Sequence, residues 1–158
     1  MELIYKVYYK LNKKLINNEK EYLKSIDIDK IYDSIIKECW KYSIQYELIL
    51  KNKYVLEIML YGKRCNRLLK FHKSTYVTYE DYLSFLYKCN NVNIDKAYYI
   101  CTGFFKKEVI NANHYEKLPF KIILEDNVRF ISKQMMMNSK HKDRLSRNYI
   151  RFYGYIPD

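Results

Sequence analysis

The stretch KAYYICTGFFKKEV, residues 96–109, decides the fold. Its apolar run from Ala97 to Cys101 stops at Thr102-Gly103, and a basic segment with helical spacing follows at once. A buried strand that ends in a small-residue turn and opens a helix is how α/β folds build clefts beside the carboxyl ends of their strands. We therefore predict a strand over 97–101 and a helix over about 104–114. The first N–H groups of that helix can hold a phosphate, although simple capping explains the same residues.

The neighbouring segments alternate between helical and strand-like patterns. Apolar residues recur at three- and four-residue spacing over 28–43, which predicts an amphipathic helix. A second helix is predicted over 79–89, because Thr78-x-x-Asp81 resembles a capping box. Apolar runs predict strands over 46–50, 54–61 and 119–124, with a tight turn between the first two. This order predicts an α/β domain with a mixed sheet flanked by helices.

Three further segments have weaker patterns. Residues 3–11 alternate in a way that suits a short strand, although a helix is also compatible with them. The basic segment 63–73 is predicted to be a loop. Residues 128–131 are predicted to be a short strand or an extended segment, and the apolar periodicity fades after residue 133.

Length and composition limit the class of protein. A chain of 158 residues can bury a core without metal or disulfide staples, so we predict a single domain over 1–158. Within it we expect a core over 27–131 and a basic C-terminal extension over 133–158. The sequence has no run of about 18 apolar residues, which predicts no transmembrane helix and no membrane partner.

The cysteines indicate a reducing compartment. Four are present and none forms a C-x-x-C pair: Cys39, Cys65, Cys89 and Cys101. Three of them lie in apolar periodic contexts, which favours buried free thiols over a disulfide framework. We therefore predict a cytoplasmic protein.

Positive charge points to nucleic acid as a partner. The net charge is +11, although AT-rich coding also enriches lysine without selection for function. Two basic clusters are predicted to bind phosphates, DNA above all, and two solvated loops are the alternative. The first cluster consists of Lys63, Arg64, Arg67, Lys70 and Lys73, and the second of Lys140, Lys142, Arg144, Arg147 and Arg151.

Aromatic residues adjoin the second basic cluster. They are Tyr149, Phe152, Tyr153 and Tyr155. Aromatic rings among basic residues can stack on bases. Packing of the C-terminal segment onto the body of the domain explains them at least as well.

The predicted hairpin over 46–61 carries one glutamate on each strand. A turn centred on Asn52 would place Glu47 opposite Glu57 on the same face of the sheet. Like charges in that position destabilise a sheet unless they are exposed, one is protonated or a cation lies between them. A divalent metal held by two carboxylates is what phosphodiester hydrolysis needs. Spacing alone still favours two surface glutamates.

Between residues 28 and 131 five segments follow one another: YELIL, YVLEIML, YEDYLSFLYKCNN, IDKAYYICTGFFKKEVINA and FKIILEDNVRFI. In this order they resemble the endonuclease domain of Mrr-like restriction enzymes, within the PD-(D/E)xK nuclease superfamily. The family has a strand with an acidic residue, a strand with (D/E/Q)-x-K, a helix, a strand that ends in a small turn, a helix and a final strand. The resemblance implies a restriction-endonuclease-like fold and metal-dependent cleavage of DNA.

The resemblance also implies roles for single residues. Glu47 and Glu57 match the two acids that bind Mg²⁺ or Mn²⁺ in the family. The lysine of the family falls on Met59, whose thioether cannot orient a water molecule or stabilise developing charge. Lys63, just after the second predicted strand, or Lys51 and Lys53 in the predicted turn have side chains long enough to replace it. Of these, Lys63 is the substitute catalytic lysine to test first.

Two functions remain open at this point. The first is a nucleic-acid-binding protein with a nuclease-like fold, with or without DNA cleavage. The second is an inactive interaction module, such as an inhibitor, an immunity factor or an accessory subunit, which the departure at Met59 favours. A homodimer or another protein partner is compatible with either.

Overall fold

The structure is a computed structural model that describes residues 2–139 and 150–158. Its helices are α1 (Glu2–Ser25), α2 (Ile28–Lys41), α3 (Tyr79–Asn90), α4 (Lys107–Tyr115) and α5 (Asn127–Ser139), with a 3₁₀ turn at Tyr153–Tyr155. The strands are β1 (Gln45–Lys51), β2 (Val55–Tyr61), β3 (Asn66–His72), β4 (Tyr76–Val77), β5 (Lys96–Cys101), β6 (Phe104–Phe105) and β7 (Lys121–Glu125).

Five of these strands form a mixed sheet in the order β1-β2-β3-β5-β7, and β4 pairs with β6 in a small second sheet. β1, β2 and β3 are antiparallel, whereas β3, β5 and β7 are parallel. The predicted fold class, an α/β domain with a mixed sheet flanked by helices, is confirmed. The more specific restriction-endonuclease-like fold stays a prediction.

The parallel half of the sheet gathers the carboxyl ends of β3, β5 and β7 at one side, which we call the carboxyl edge. The turn between β1 and β2 also lies there, because Val55 pairs with His72 and the Lys73 N–H donates to the Tyr54 carbonyl at 2.7 Å. The turn between β2 and β3 lies at the other end of the strands, the amino edge. Connections that are distant in the sequence therefore meet at the carboxyl edge.

The core has one layer on each face of the sheet. Alternation along β2 sends Leu56, Ile58 and Leu60 to a cluster shared with α1, α2, α5 and the C-terminal segment. Met59 points to the other cluster, which contains residues of α3 and α4 such as Phe85. This period of two is the expected signature of a strand buried on both faces.

The helix signals read from the sequence hold for α2 and α3. Asp27 caps α2 by accepting the Asp29 N–H at 3.0 Å. Thr78 and Asp81 form the predicted capping box at the start of α3. The predicted helices over 28–43 and 79–89 are therefore confirmed with small shifts at their ends.

The strand predicted over 3–11 is wrong, because these residues lie in α1. The alternating apolar residues also fit a helix, on which Tyr8 and Tyr9 pack against the core while others stay exposed. Among the described residues no helix is long and apolar enough to cross a membrane.

Two more assignments are corrected. The loop predicted over 63–73 is wrong for residues 66–72, where β3 pairs with β2 on one side and β5 on the other. The strand predicted over 128–131 is wrong because Asp126 accepts the Arg129 N–H at 2.8 Å and starts α5. The first error came from charged residues that tertiary contacts satisfy, and the second from an apolar run that a local cap turns into a helix.

The turn after β5 also differs from its prediction. The following helix begins at Lys107 rather than about 104, because Phe104 and Phe105 form β6. A Cβ atom on Gly103 would lie 1.9 Å from the Thr75 carbonyl oxygen, so only glycine allows the chain to pass here. Thr102-Gly103 is therefore a close approach of two backbones and does not open α4.

Candidate functional site

Glu57 is the centre of a buried charged cluster on the face of the sheet that α3 covers. Its side chain is fully buried and lies between the ammonium groups of Lys70 and Lys88. Lys88 Nζ donates to Oε2 at 2.5 Å, and Lys70 Nζ lies 3.1 Å from Oε1 at an angle outside hydrogen bonding. One buried negative charge thus faces two positive charges, and Lys88, which carries one of them, keeps 37% of its side chain exposed.

The chain builds this cluster from a strand pair and a helix. Lys70 lies on β3 directly opposite Glu57 on β2. Lys88 lies in the last turn of α3, three residues after the buried Phe85, so both project from one face of the helix. The sequence predictions placed Lys70 in a phosphate-binding loop and missed Lys88. The position of Lys70 could have been recognised from the sequence, because its segment also has the pattern of a strand.

Glu47 does not lie opposite Glu57, so that pairing prediction is wrong. Glu47 pairs with Met59, and its Oε2 accepts the Tyr61 hydroxyl at 2.8 Å. The cause is a three-residue turn after Lys51, together with a register shift between Leu48 and Leu50. Met59 and Glu57 lie two residues apart on β2, so their side chains are on the same face of the sheet. Glu47 is also on this face, but it lies opposite Met59 and not opposite Glu57.

Lys70 is the more deeply buried of the two lysines. Burial lowers the pKa of Lys70, and the charge of Glu57 partly opposes that shift. Its ammonium group also lies 4.8 Å from the ring centre of Tyr99 and 5.5 Å from that of Phe85. Aromatic faces stabilise a buried cation. Lys70 is therefore held as part of the core.

A histidine and a tyrosine extend the cluster towards the carboxyl edge. His72 Nδ1 lies 2.9 Å from the Tyr99 hydroxyl. Burial and the charge of Lys70 lower the pKa of His72, while burial raises the pKa of Tyr99. Hydrogen bonds from Thr78 lower the pKa of Asp81, against the effect of its burial, and the charges of His72 and Lys70 act in the same direction.

The residues present do not suit the divalent metal that the resemblance implies. Both oxygens of Glu57 already face ammonium groups, so Mg²⁺ or Mn²⁺ would add a third positive charge beside one carboxylate. Within residues 2–139 and 150–158, no group of three or more His, Cys, Asp or Glu side chains is placed to hold a metal ion. Glu47, the other expected ligand, is bound to Tyr61 instead.

The first basic cluster is divided by the strand that it contains. Lys63 and Arg64 lie in the turn at the amino edge, where their N–H groups donate to the Asp158 carbonyl. Arg67 Nη1 donates to the Ile156 carbonyl at 2.9 Å, on the opposite face from Lys70. Lys73 lies at the carboxyl edge, about 20 Å from Lys63 at the usual rise of a strand. The five residues do not form one surface.

The second basic cluster is described only at its end. Lys140, Lys142, Arg144 and Arg147 lie outside the described residues, as does Tyr149. Arg151 Nε donates to Asn138 Oδ1 at 2.6 Å. Phe152 and Tyr155 are fully buried, which favours the packing alternative for these aromatic residues over base stacking.

A second buried glutamate, which the sequence predictions missed, lies on β7. Glu125 accepts the Tyr155 hydroxyl at 2.5 Å, and Lys133 Nζ donates to its other oxygen at 3.1 Å. The Lys133 ammonium lies 3.7 Å from the ring centre of Tyr155. This contact joins the sheet, α5 and the C-terminal segment.

The carboxyl edge presents lysines from separate connections. Lys53 is in the turn between β1 and β2, Lys73 follows β3, and Lys106 and Lys107 begin α4. Backbone hydrogen bonds hold these connections together, from the Lys73 N–H to Tyr54 and from the Lys106 N–H to Val77. In α/β sheets this edge is where ligands bind.

Two clefts of about 590 and 600 Å³ are present, and neither is lined by Lys53, Lys73, Lys106 or Lys107. The first is bordered by α1, α4 and β7 and includes Lys6 and Arg129. The second lies at the amino edge around Gly62 and the C-terminal Asp158. Glu57 lines neither cleft, so the buried charged cluster is separate from both of them.

All four cysteines are free, and Cys39, Cys89 and Cys101 are buried. Burial raises the pKa of Cys39 to about 11 and that of Cys89 to about 12. Such thiols are poor nucleophiles and behave as small apolar side chains. The prediction of buried free thiols is confirmed for these three, whereas Cys65 is only partly buried.

A scan against models of known protein families and a search of curated proteins find no match to this chain. The resemblance to Mrr-like nucleases therefore stays a prediction.

Proposed function

We propose that this protein binds nucleic acid through the carboxyl edge of a restriction-endonuclease-like fold and does not cleave it. The observation that carries the proposal is the convergence there of Lys53, Lys73, Lys106 and Lys107 from connections distant in sequence. Lysines grouped on one side of a basic protein are the usual means of holding phosphates. The net charge of +11 adds long-range attraction.

The state of Glu57 supports binding without cleavage. Metal-dependent hydrolysis needs carboxylates free to coordinate the metal. Lys70 and Lys88 already neutralise Glu57, and Glu47 is turned to Tyr61. The arrangement thus resembles a nuclease centre in which ammonium groups have taken the place of the cation.

Salt dependence tests the binding surface. We expect labelled DNA to bind with an affinity that falls steeply as salt rises, since phosphate contacts release counterions. Lys106→Gln/Lys107→Gln should reduce the slope of log affinity against log salt by roughly 2. Lys41→Gln/Lys117→Gln, two exposed lysines at the amino edge, is the matched control and should leave the slope unchanged. No binding at low salt, or equal effects of both double variants, contradicts the proposal.

A cleavage assay tests the absence of catalysis. Plasmid, linear duplex, single-stranded DNA and RNA are incubated with Mg²⁺ or Mn²⁺, with wild type beside Glu57→Ala. We expect no cleavage by either protein. Cleavage by wild type that falls by about 10²-fold in Glu57→Ala would overturn the proposal and restore the metal site.

A specific observation on α1 favours a second function, binding of a protein partner. Its exposed face carries the apolar side chains Leu3, Ile4, Val7, Leu11 and Leu15. The first four line a shallow apolar groove of about 310 Å³ together with Tyr8. Contiguous apolar surface of this kind marks interaction sites.

The charges beside this face define the partner. Lys6, Lys10, Lys13 and Lys14 accompany the apolar residues along α1, and all four are exposed. A second copy of the chain would bring like charges together. An acidic amphipathic helix would match both the apolar stripe and the lysines.

A designed peptide tests this second function. We expect an acidic amphipathic helix to bind wild type, to lose binding to Leu11→Ser, and to bind Lys10→Glu/Lys14→Glu a few-fold more weakly. Leu83→Ser, which alters an exposed leucine on α3, is the control. Self-association in sedimentation, or binding to anionic vesicles without binding to the peptide, would assign the face to another occupant.

A further inference from the structure

Large aromatic side chains stand exposed at the carboxyl edge, beside its lysines. Tyr54, Tyr76 and Phe104 are 56%, 44% and 51% exposed. Single exposed rings occur elsewhere on the molecule, as at Tyr115 on α4, so exposure alone does not indicate a binding site. Tyr76 and Phe104 differ from such single rings because they contact each other and a lysine lies over Tyr76.

Tyr76 and Phe104 form a pair held by the backbone. They are direct partners in the β4–β6 ladder, and their ring centres lie 6.1 Å apart at 41°. The Phe104 N–H donates to the Thr75 carbonyl at 3.1 Å, and the close approach at Gly103 fixes the two chains. The rings are therefore placed by a small sheet rather than by a free loop.

Lysine ammonium groups lie over two of the three rings, Tyr54 and Tyr76. The Lys106 ammonium is 4.5 Å from the ring centre of Tyr76, and that of Lys53 is 5.7 Å from the ring centre of Tyr54. A phosphate next to a stacked base would find these ammonium groups within reach. Aromatic faces interleaved with a basic track are how proteins hold single-stranded nucleic acid.

We propose that Tyr76 and Phe104 form a stacking platform for unpaired bases, so that the carboxyl edge prefers single-stranded nucleic acid to duplex. The inference rests on the proposed nucleic-acid binding and names its substrate class. A duplex exposes phosphates but hides the faces of its bases, so it can use the lysines and not the rings. Single strands use both.

The test distinguishes the contribution of the aromatic rings to binding from that of the lysines. A single-stranded oligonucleotide of about 12 nucleotides, as DNA and as RNA, is compared with a duplex of the same length by fluorescence anisotropy. Phe104→Leu keeps an apolar residue and removes the ring, and should weaken single-strand binding about 10-fold with duplex binding unchanged. Tyr76→Leu should act likewise, whereas the control Tyr115→Leu should change neither affinity.

Two further readouts identify stacking. The ring variants should keep the wild-type salt slope, whereas Lys106→Gln should reduce it by about 1. An oligonucleotide with 2-aminopurine should change its emission on binding wild type, and this change should be lost in Phe104→Leu. Thermal melting of both ring variants confirms that they fold.

The outcomes distinguish this inference from the function on which it rests. Equal affinity for duplex and single strand, with no effect of Phe104→Leu and Tyr76→Leu, overturns the platform and leaves phosphate binding at the carboxyl edge intact. No binding of any nucleic acid at low salt overturns the proposed function and the platform with it. A tenfold loss confined to single strands supports both.

Discussion

Two buried glutamates, Glu57 on β2 and Glu125 on β7, are neutralised in different ways. Glu57 has two lysine partners, and one of them, Lys88, keeps 37% of its side chain exposed. Glu125 has one lysine and one tyrosine, and Tyr155 is fully buried. Glu57 and its two lysines carry a net positive charge and reach solvent through Lys88, whereas Glu125 and Lys133 form a neutral pair that is more deeply buried.

The Glu125 contact is a structural ion pair, whereas the Glu57 cluster keeps one of its lysines in contact with solvent. The Glu125 contact fixes the C-terminal segment against the sheet, and each of its polar groups depends on the others. The Glu57 cluster can lose Lys88 to water and keep a neutral pair with Lys70. Burial of a carboxylate alone would have marked both as functional candidates.

The largest expected effect is on stability, from removing the charge of Glu125. Glu125→Gln should lower the free energy of unfolding by about 3–5 kcal/mol, because it leaves the buried ammonium of Lys133 without its counter-charge. Glu57→Gln should cost about 2 kcal/mol, because Lys88 can turn to water and aromatic rings still hold Lys70. Urea denaturation measures both, with the exposed Glu116→Gln as control.

Equal losses of unfolding free energy for the two glutamate variants would show that the Glu57 cluster is as inaccessible to water as the Glu125 cluster. A loss in Glu116→Gln beyond about 0.5 kcal/mol would show that the assay responds to surface charge in general.

Removing the lysine partners should have smaller effects than removing the charge of Glu125. Lys133→Met should cost about 3 kcal/mol, because Glu125 would remain buried with only a tyrosine beside it. Lys88→Met should change stability by less than about 1 kcal/mol, because Lys70 remains with Glu57. The measurement is again urea denaturation. A loss of stability from Lys88→Met as large as that from Lys133→Met would show that Glu57 needs Lys88 as much as Glu125 needs Lys133.

Local signals in the sequence were enough for much of the fold. The apolar run at 97–101, the capping box at Thr78 and the spacing over 28–43 each depend on neighbouring residues, and each predicted its element. The helical and strand periods decide such segments because the buried face repeats along the chain.

The charged clusters could not be predicted in the same way. Lys70 and Arg67 resemble solvated residues until β2, α3 and the C-terminal segment supply their partners. The pairing of Glu47 also depends on the extra residue at Ile49 in β1, which shifts the register after Leu48. A bulge of one residue leaves no mark in an apolar run, so the expected carboxylate pair could be neither placed nor rejected from sequence.

The smallest expected effect is a difference in pH dependence, which belongs to the Glu57 cluster alone. Burial and the charge of Lys70 lower the pKa of His72 below its ordinary 6.5. As pH falls through 6.5 the unfolded chain takes up the proton first, so stability decreases until the lower pKa of the folded state is passed. Of the other groups near His72, the pKa of Asp81 lies below 3.8 and outside this window.

His72→Gln tests this assignment, because glutamine can still accept the Tyr99 hydroxyl and does not titrate. We expect the decline in stability between about pH 7.5 and pH 5 to become shallower in His72→Gln than in wild type. His114→Gln, which replaces an exposed histidine on α4, should keep the wild-type slope. Denaturation midpoints across the pH series measure the slopes. Identical slopes for wild type and His72→Gln would place the acid sensitivity elsewhere and remove His72 from the cluster that sets Glu57 apart from Glu125.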